Sequence, residues 1–295
     1  MKIRELGTTH FGILENEDST KSEIIKKLNQ NKTFMKKSNV LILLLAVLMV
    51  PSVSVVLFGQ DHTTNKKIRV LLITGEDHPS HHWQETAPVV RGGLNTAKDI
   101  DCRLVDDPEI LATEVIFDYD VLIFHFKNYK PLKRHEQAKQ NLLKFTNNGG
   151  GLVLIHFACG AFDDWAEFEK LAGRIYDPKK RGHDPYGRFK VEYIDHEHPV
   201  SDGLENFEIE DELYTCLKDS SVPVRVLAES ESKVDKKRHS MAFVREHGNS
   251  RIFLTTLGHD VKAVSSPGFK SILQRAVRWT AKKIDREPQQ SQSGM

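Results

Sequence analysis

Three short runs of almost wholly apolar residues constrain the fold of this chain more than any other feature of its sequence. The runs are IRVLLIT at 68–74, DVLIFHF at 120–126 and GLVLIH at 151–156. They are rich in Val, Ile and Leu and show no regular polar alternation, which is typical of strands buried on both faces of a sheet. Sheets buried in this way are mostly parallel and carry helices on both sides, so the runs predict an α/β fold.

Helical and strand patterns alternate around these runs. The sequence predicts helices near 87–97, within 133–150 and within 163–174, and a shorter strand at 102–107. Asp163 or Asp164 is expected to cap the third helix, and Gly173 is expected to end it. The alternation predicts a flavodoxin-like, doubly wound, mostly parallel sheet that is covered on both faces.

The second half of the chain is richer in strands. Strands are predicted at 188–194, 224–230, 240–247 and 251–257, with a hairpin turn at 246–249 and a final helix over 269–283. Residues 174–188 are expected to form a surface excursion with His183 exposed, unless this loop folds over the site. Residues 66–284 are expected to form one domain with extra strands in its second half, and the polar tail 285–295 is expected to be disordered.

The first sixty residues are not expected to belong to the fold. Residues 1–34 are polar and are interpreted as disordered or as lying upstream of a true start at Met35. Residues 35–60 combine a basic start, an apolar stretch and a following Pro51, which is the plan of a secretory signal peptide. An uncleaved signal anchor is the alternative. Both place the domain outside the cytoplasm, in the periplasm or the extracellular space, with membrane contact only through this segment.

Composition narrows the class of partner. The formal net charge is +1 and 28% of the residues are charged, which argues against nucleic acid as the main partner. Cys102, Cys159 and Cys216 are too few and too scattered for a disulfide framework, although one pair could bridge in an oxidising compartment. The glycines at 149–151 precede a strand instead of following one, so no nucleotide cofactor is expected. A homo-oligomer is compatible with the sequence.

Histidines follow four of the predicted strands. Ligands of open parallel sheets bind beyond the carboxyl ends of the strands. The histidines found there are His78, His81 and His82 after the first strand, His125 after the third, His156 after the fourth and His259 after the last. Taken singly, each is more simply a surface or hydrogen-bonded structural residue. Their joint placement at one edge predicts a site.

The turn IHFACGA at 155–161 has the position of a nucleophile elbow, a tight strand-to-helix turn that exposes one side chain. His156 occupies the tip of this turn. Cys159 comes too late in the turn for the tip and is interpreted as a small packing residue. A hydrolase that uses Cys159 with His259 remains an alternative.

One segment of the second half is rich in histidine and carboxylates. His196 and His198 form a weak metal-binding pattern, for which a solvated turn is the simpler interpretation. The acidic run at 208–212 is normally a solvated face. Asp211 or Glu212 could instead supply the carboxylate that acid–base chemistry requires.

Several short motifs occur together in a fixed order. They are GLVLIHFA at 151–158, DHEHPVSDGL at 195–204, DELY at 211–214, LGHD at 257–260 and RAVRWTA at 275–281. In this order and spacing the chain resembles the ThuA-like, trehalose-utilisation family over residues 68–281. The resemblance implies a class I glutamine amidotransferase-like fold and a role in the metabolism of trehalose, other disaccharides or their keto forms.

The chain differs from true amidotransferases at the position of their catalytic thiol. Those enzymes place a cysteine directly after the strand, and the aligned residue here is His156. Their His-x-Glu pattern is also absent, because Asp260 and Val261 follow His259. A glutaminase is therefore disfavoured.

The favoured hypothesis is an exported enzyme, a hydrolase, lyase or isomerase, that acts on a sugar or keto-sugar. The predicted catalytic residues, acting in acid–base chemistry or as metal ligands, are His156, Glu212 and His259. The predicted substrate-binding residues are His78, His82, His198, Tyr214 and Asp260. A divalent metal such as zinc would suit these side chains, and the candidate ligands are His78, His156 and His259. A non-catalytic sugar-binding module on the same fold is the alternative.

Overall fold

A nine-stranded sheet organises the chain in the computed structural model, which describes residues 66–219 and 222–285. The strands are β1 (Ile68–Ile73), β2 (Ile100–Val105), β3 (Val121–Phe124), β4 (Gly151–Ile155), β5 (Gly187–Tyr193), β6 (Phe207–Asp211), β7 (Arg225–Glu231), β8 (Arg238–His247) and β9 (Ser250–Thr255). Their spatial order is β2-β1-β3-β4-β9-β8-β7-β5-β6. The first five strands in this order are parallel, and the last four alternate in direction. The predicted α/β fold, with extra strands in its second half, is confirmed.

Helices cover both faces of the sheet. Those of the described residues are α1 (Trp83–Asn95), α2 (His135–Asn147), α3 (Ala166–Ala172), α4 (Val261–Ser265) and α5 (Pro267–Thr280). On β4, Val153 and Ile155 belong to the core layer shared with α1 and α5, whereas Leu152 and Leu154 belong to the layer shared with α2 and α3. Because both faces of this strand are buried, its sequence is apolar throughout.

Of the two interpretations of residues 208–212, a solvated acidic face or a source of a functional carboxylate, the structure contradicts the first for Asp211 and Glu212, which are buried. Phe207–Asp211 forms β6, which pairs with β5 in antiparallel register. Ile209 and Asp211 on this strand are buried, whereas Glu208 is exposed. In a strand with one buried face, buried and exposed side chains alternate along the sequence. Here the carboxylates on the exposed face conceal this alternation.

The N-terminal cap predicted for the third helix is also wrong. Trp165 precedes α3 in the position of the cap, and no side chain caps the first turn. Asp163 and Asp164 lie further upstream, and Asp163 is 3.4 Å from Lys127 Nζ. Gly173 follows the last residue of the helix, as predicted, with a φ of +88° that favours glycine.

The predictions for residues 1–34 and 35–60, including the signal peptide or anchor, lie outside the described residues. The same holds for nearly all of the tail 285–295. Within the part of the chain that the structure describes, no helix combines the length and apolar character needed to cross a membrane.

Candidate active site

Four side chains with metal-ligating atoms meet at the carboxyl edge of the parallel strands. They are His81 from the β1–α1 loop, His156 directly after β4, Glu212 directly after β6 and His259 from the loop after β9. One ligating atom of each lies within 4.8 Å of the others. Glu212 lies at this edge because β6 runs in the same direction as β9, after three intervening strands that alternate in direction. We call these four residues the His3Glu cluster.

His156 has an unusual backbone conformation at the end of β4. Its φ is +52°, in the left-handed region that residues with a Cβ rarely adopt. A 3₁₀ helix over His156–Gly160 follows, and the imidazole is fully buried. A strained turn between a strand and a helix is the geometry of a nucleophile elbow, and here it directs the His156 ring into the cluster.

Hydrogen bonds determine which ring nitrogen carries the proton in two of the histidines. His156 Nδ1 lies 2.7 Å from the carbonyl oxygen of Thr256, so Nδ1–H donates, and in the neutral ring Nε2 keeps its lone pair. The backbone N–H of Ser80 donates to His78 Nδ1 at 3.1 Å, so His78 Nδ1 is an acceptor. His81 Nδ1, 3.2 Å away, therefore donates to it and leaves His81 Nε2 unprotonated. A histidine that ligates a metal through Nε2 needs this nitrogen unprotonated, and its Nδ1–H usually donates a hydrogen bond that fixes the ring.

Glu212 supplies the carboxylate of the cluster. Its Oε2 lies 3.5 Å from His156 Nε2 and 3.2 Å from His259 Nδ1, and its Oε1 lies 3.4 Å from His183 Nε2. Two atoms that each bind one zinc ion at about 2.0–2.1 Å in a tetrahedral site lie roughly 3.3 Å apart. The separation between Glu212 Oε2 and His156 Nε2 therefore fits a shared ion.

Burial and neighbouring charges set the protonation of the cluster. Burial, followed by the nearby rings of His156 and His259, lowers the pKa of His81 to about 2, so this ring is neutral. Burial raises the pKa of Glu212, but the neighbouring His156 and His259 rings outweigh burial and lower the pKa overall, so the carboxylate is ionised. Burial lowers the pKa of His259, but Glu212 outweighs it and the net shift is upward. Neutral imidazole and ionised carboxylate are the forms that bind a metal.

Asp211 joins the two segments that carry Glu212 and His259. Its carboxylate is fully buried, and Oδ1 accepts hydrogen bonds from the backbone N–H of Glu212 at 2.8 Å and of His259 at 3.1 Å. Its Oδ2 accepts a hydrogen bond from the backbone N–H of Gly258 at 2.7 Å. One side chain thus fixes the end of β6 relative to the loop after β9.

Tyr214 and His78, two of the predicted substrate-binding residues, border the cluster. The Tyr214 hydroxyl lies 2.9 Å from His156 Nε2 and 3.5 Å from His81 Nε2. Burial raises the pKa of the Tyr214 phenol well above its usual value, so the hydroxyl is a donor. His78 contacts His81 through their Nδ1 atoms, which makes it a support for a candidate ligand.

The other predicted substrate-binding residues lie outside the cluster. Asp260 caps α4 and accepts a hydrogen bond from the Tyr186 hydroxyl at 2.8 Å. His82 is exposed and precedes α1. His198 is buried, and its ring packs against Trp279 on α5 with 4.8 Å between the centroids. Substrate binding by these residues stays a prediction.

Two histidines that were not predicted as site residues also contribute. His81 is one of three histidines in the loop after β1, and its sequence neighbours do not distinguish it from the other two. His183 is exposed, as expected, yet its ring contacts Glu212 because the segment at 174–188 folds over the cluster. An isolated β-bridge between His183 and Tyr214 holds that segment in place.

A cleft of about 320 Å³ opens beside the cluster, with a size near the lower end for small-molecule sites. Its lining includes His81, Glu212 and Tyr214. Cys159 also lines the cleft, but the residue is only 1% exposed, and burial raises the pKa of its thiol well above the usual value. A protonated thiol is a poor nucleophile, which disfavours the Cys159-dependent hydrolase.

Comparison with known proteins agrees with the motifs in the sequence. Residues 69–280 match the model of the trehalose utilisation family, ThuA. The chain belongs to this family. No curated protein matches the ThuA-family chain.

Two solved structures resemble the ThuA-family chain in fold. One is a protein described as ThuA-like from Parabacteroides merdae, with 24% identity and a TM-score of 0.64, covering 76% of this chain and 93% of that one. The other is a protein described as ThuA-like from Bacteroides uniformis, with 21% identity and a TM-score of 0.60, covering 73% of this chain and 91% of that one. The fold that the resemblance implied is therefore confirmed.

Proposed function

We propose that this ThuA-family chain is an enzyme that acts on a sugar or keto-sugar by proton transfer at the His3Glu cluster, with a divalent metal ion as cofactor. The convergence of the four cluster side chains within 4.8 Å carries the proposal. The family description, trehalose utilisation, and the mixed polar and aromatic lining of the cleft support a sugar as the substrate.

His81, His156 and Glu212 are the residues that would hold the ion. His81 is neutral, and both histidines present an unprotonated Nε2, while Glu212 is ionised. Two imidazoles and one carboxylate form a ligand set that zinc uses in catalytic sites. When bound there, such an ion would polarise a carbonyl or hydroxyl oxygen of the substrate.

His259 is the residue that would move the proton. Its raised pKa favours the protonated ring, which can donate a proton and take it back. Its side chain is 17% exposed, against 0% for His156 and 11% for Glu212, so it is the most accessible of the three to a substrate. Glu212, 3.2 Å from His259 Nδ1, stabilises the protonated form.

Metal content and turnover of the same variants test these roles. We expect His156→Ala to lose both bound metal, measured by plasma mass spectrometry, and turnover of a keto-disaccharide. His259→Ala is expected to keep its metal and lose turnover. His196→Ala is the control, because His196 is exposed in a turn away from the cluster. Unchanged metal content and turnover in both cluster variants would refute the assignment, and sugar binding without product would favour a binding module.

We also propose that the domain is exported, on the support of the signal-peptide pattern at 35–60. Sequencing the N-terminus of the mature protein tests this. Cleavage after the apolar stretch is the expected result. A mature chain that still contains residues 2–33 would contradict a true start at Met35.

A further inference from the structure

Lys127 lies in the same cleft as the His3Glu cluster, held over two tyrosine rings. It follows β3, and its Nζ lies 5.3 Å from the centroid of the Tyr129 ring and 4.5 Å from that of Tyr176. At such distances the faces of aromatic rings attract a cation. The side chain is 19% exposed, so the ammonium group is positioned within the cleft and is not free on the surface.

The ammonium group keeps donors for a ligand. Its nearest carboxylate is that of Asp163, 3.4 Å away and 45% exposed. Lys127 Nζ makes no hydrogen bond to any residue within 66–219 or 222–285. Because an ammonium carries three N–H donors, a ligand in the cleft would find them available.

Gly160 provides the space that Lys127 occupies. A Cβ built at Gly160 would lie 2.8 Å from Lys127 Cδ and 3.2 Å from Nζ, closer than ordinary contact. Any side chain at this position would displace the lysine from the two rings. A variant at Gly160 can therefore move the charge without removing it.

The lining of the cleft combines the ammonium group of Lys127 with side chains of the His3Glu cluster. Among its lining residues in the described part of the chain, Lys127 is the one lysine or arginine. Ring contacts lead from it to the cluster, because Tyr129 stacks on His78 and His78 lies beside His81, with 4.9 Å between centroids in each pair. The Lys127 ammonium group and side chains of the His3Glu cluster thus line the same cleft.

We infer that Lys127 binds an anionic oxygen group of the substrate, a carboxylate or a phosphate, and so determines specificity. Charge-assisted hydrogen bonds from an ammonium to such oxygens are stronger than those to a neutral hydroxyl. The inference rests on the proposed function in one respect: the reacting part of the substrate is taken to lie at the His3Glu cluster. The substrate class that follows is a sugar acid or a sugar phosphate.

Calorimetric titration of the full chain with gluconate, glucose 6-phosphate and neutral glucose tests this, and the two anions distinguish a carboxylate from a phosphate. We expect one of the anions to bind at least about tenfold more tightly than glucose. Lys127→Gln is expected to abolish that preference. Gly160→Ala is expected to reduce it, because the Cβ pushes the ammonium group away from its position.

Lys139→Gln is the matched control. Lys139 Nζ lies 5.6 Å from the centroid of the Trp165 ring and 3.3 Å from a Glu136 carboxylate oxygen, and its side chain is 14% exposed. It resembles Lys127 in these respects but does not line the cleft. We expect the Lys139 variant to keep the preference for the anion.

Two results would overturn the inference: no preference of the wild-type chain for either anion over glucose, or a preference that survives Lys127→Gln. Metal content measured on the same samples separates this test from the proposed function. A preference that depends on Lys127 in a chain that binds no metal would support the anion site and refute the metal centre.

Discussion

Both oxygens of the Asp211 carboxylate accept backbone hydrogen bonds, Oδ1 from Glu212 and His259 and Oδ2 from Gly258. In Asp211→Asn, the amide nitrogen must face an N–H donor on one side, because an amide offers only one acceptor oxygen. The segments carrying Glu212 and His259 then lose their common anchor. We expect zinc to bind about tenfold to a hundredfold more weakly, measured by competition with a chelating dye.

Glu208→Gln is the control for this prediction, since Glu208 lies on the same strand as Asp211 and is exposed. Thermal unfolding of the Asp211 variant, followed by circular dichroism, shows whether the fold is retained. Losing a buried acceptor costs about 1–3 kcal/mol, which lowers the stability of the fold. A folded variant that binds zinc as tightly as the wild-type chain would mean that Asp211 acts on the fold alone.

The Cys159 thiol gives a second prediction for a single residue. Because burial raises its pKa, the thiolate that alkylating reagents attack is scarce at neutral pH. We expect iodoacetamide to leave Cys159 unmodified in the native chain and to modify it after unfolding in urea, as measured by peptide mass spectrometry. Stoichiometric labelling of the native chain with loss of turnover would instead favour a cysteine-dependent enzyme.

The secondary structure elements show where local sequence patterns are sufficient. The apolar runs of β1, β3 and β4 predicted buried parallel strands because these strands are covered on both faces. In β6 more buried and more exposed residues alternate from Phe207 to Asp211. The acidic side chains on the exposed face concealed this two-residue period in the sequence. Only the buried position of Asp211, which depends on the neighbouring loop after β9, shows that this carboxylate is structural.

The site illustrates what sequence cannot predict. His156 and His259 were predicted because each follows a strand of the parallel sheet, a position that topology assigns to ligands. The sequence left the position of His183 open, because its contact with Glu212 depends on a long segment folding back over the sheet edge. The ring of His198 packs on Trp279, outside the cluster, and substrate binding by His198 stays a prediction.

The turn that links β5 to the following segment gives a prediction for pH dependence. The Asp195 carboxylate accepts hydrogen bonds from the backbone N–H of Glu197 at 3.0 Å and of His198 at 3.1 Å, and it pairs with Arg225 at the start of β7. The hydrogen bond from Arg225 outweighs burial and lowers the pKa of Asp195. A carboxyl with a lower pKa in the folded state stabilises the fold above its unfolded pKa, and this contribution is lost as the pH falls.

We expect Asp195→Asn to reduce the free energy of unfolding by about 1 kcal/mol at pH 7. The effect is small because the Arg225 side chain is 45% exposed, and water screens an exposed ion pair. The variant should also lose less stability than the wild-type chain between pH 5 and pH 3, the window around the ordinary pKa of Asp near 3.9. Urea unfolding at several pH values measures both effects. Asp202→Asn, at an exposed position of the next turn, is the control. Identical pH profiles for the wild-type and Asp195 variants would contradict the prediction.

The whole molecule brings together residues that are distant in sequence. His81, His156, Glu212 and His259 follow four different strands, and they meet because all four strands end at one edge of the sheet. In an unfolded chain these ligands are far apart and bind a metal weakly. A metal that binds the cluster must therefore stabilise the folded chain by mass action.

At a free zinc concentration about a hundredfold above its Kd, this linkage contributes about 2.7 kcal/mol, which corresponds to a rise in Tm of roughly 5–10 °C for a domain of this size. Differential scanning calorimetry with and without zinc measures the rise, and a chelator should reverse it. His156→Ala should show no rise in Tm with zinc, because the substitution removes one of the metal ligands. In the wild-type chain the Thr256 carbonyl fixes the tautomer of this ligand. His196→Ala should respond as the wild-type chain does, since His196 is exposed outside the cluster. An equal rise in the wild-type and His156 variants would place the bound zinc elsewhere on the surface.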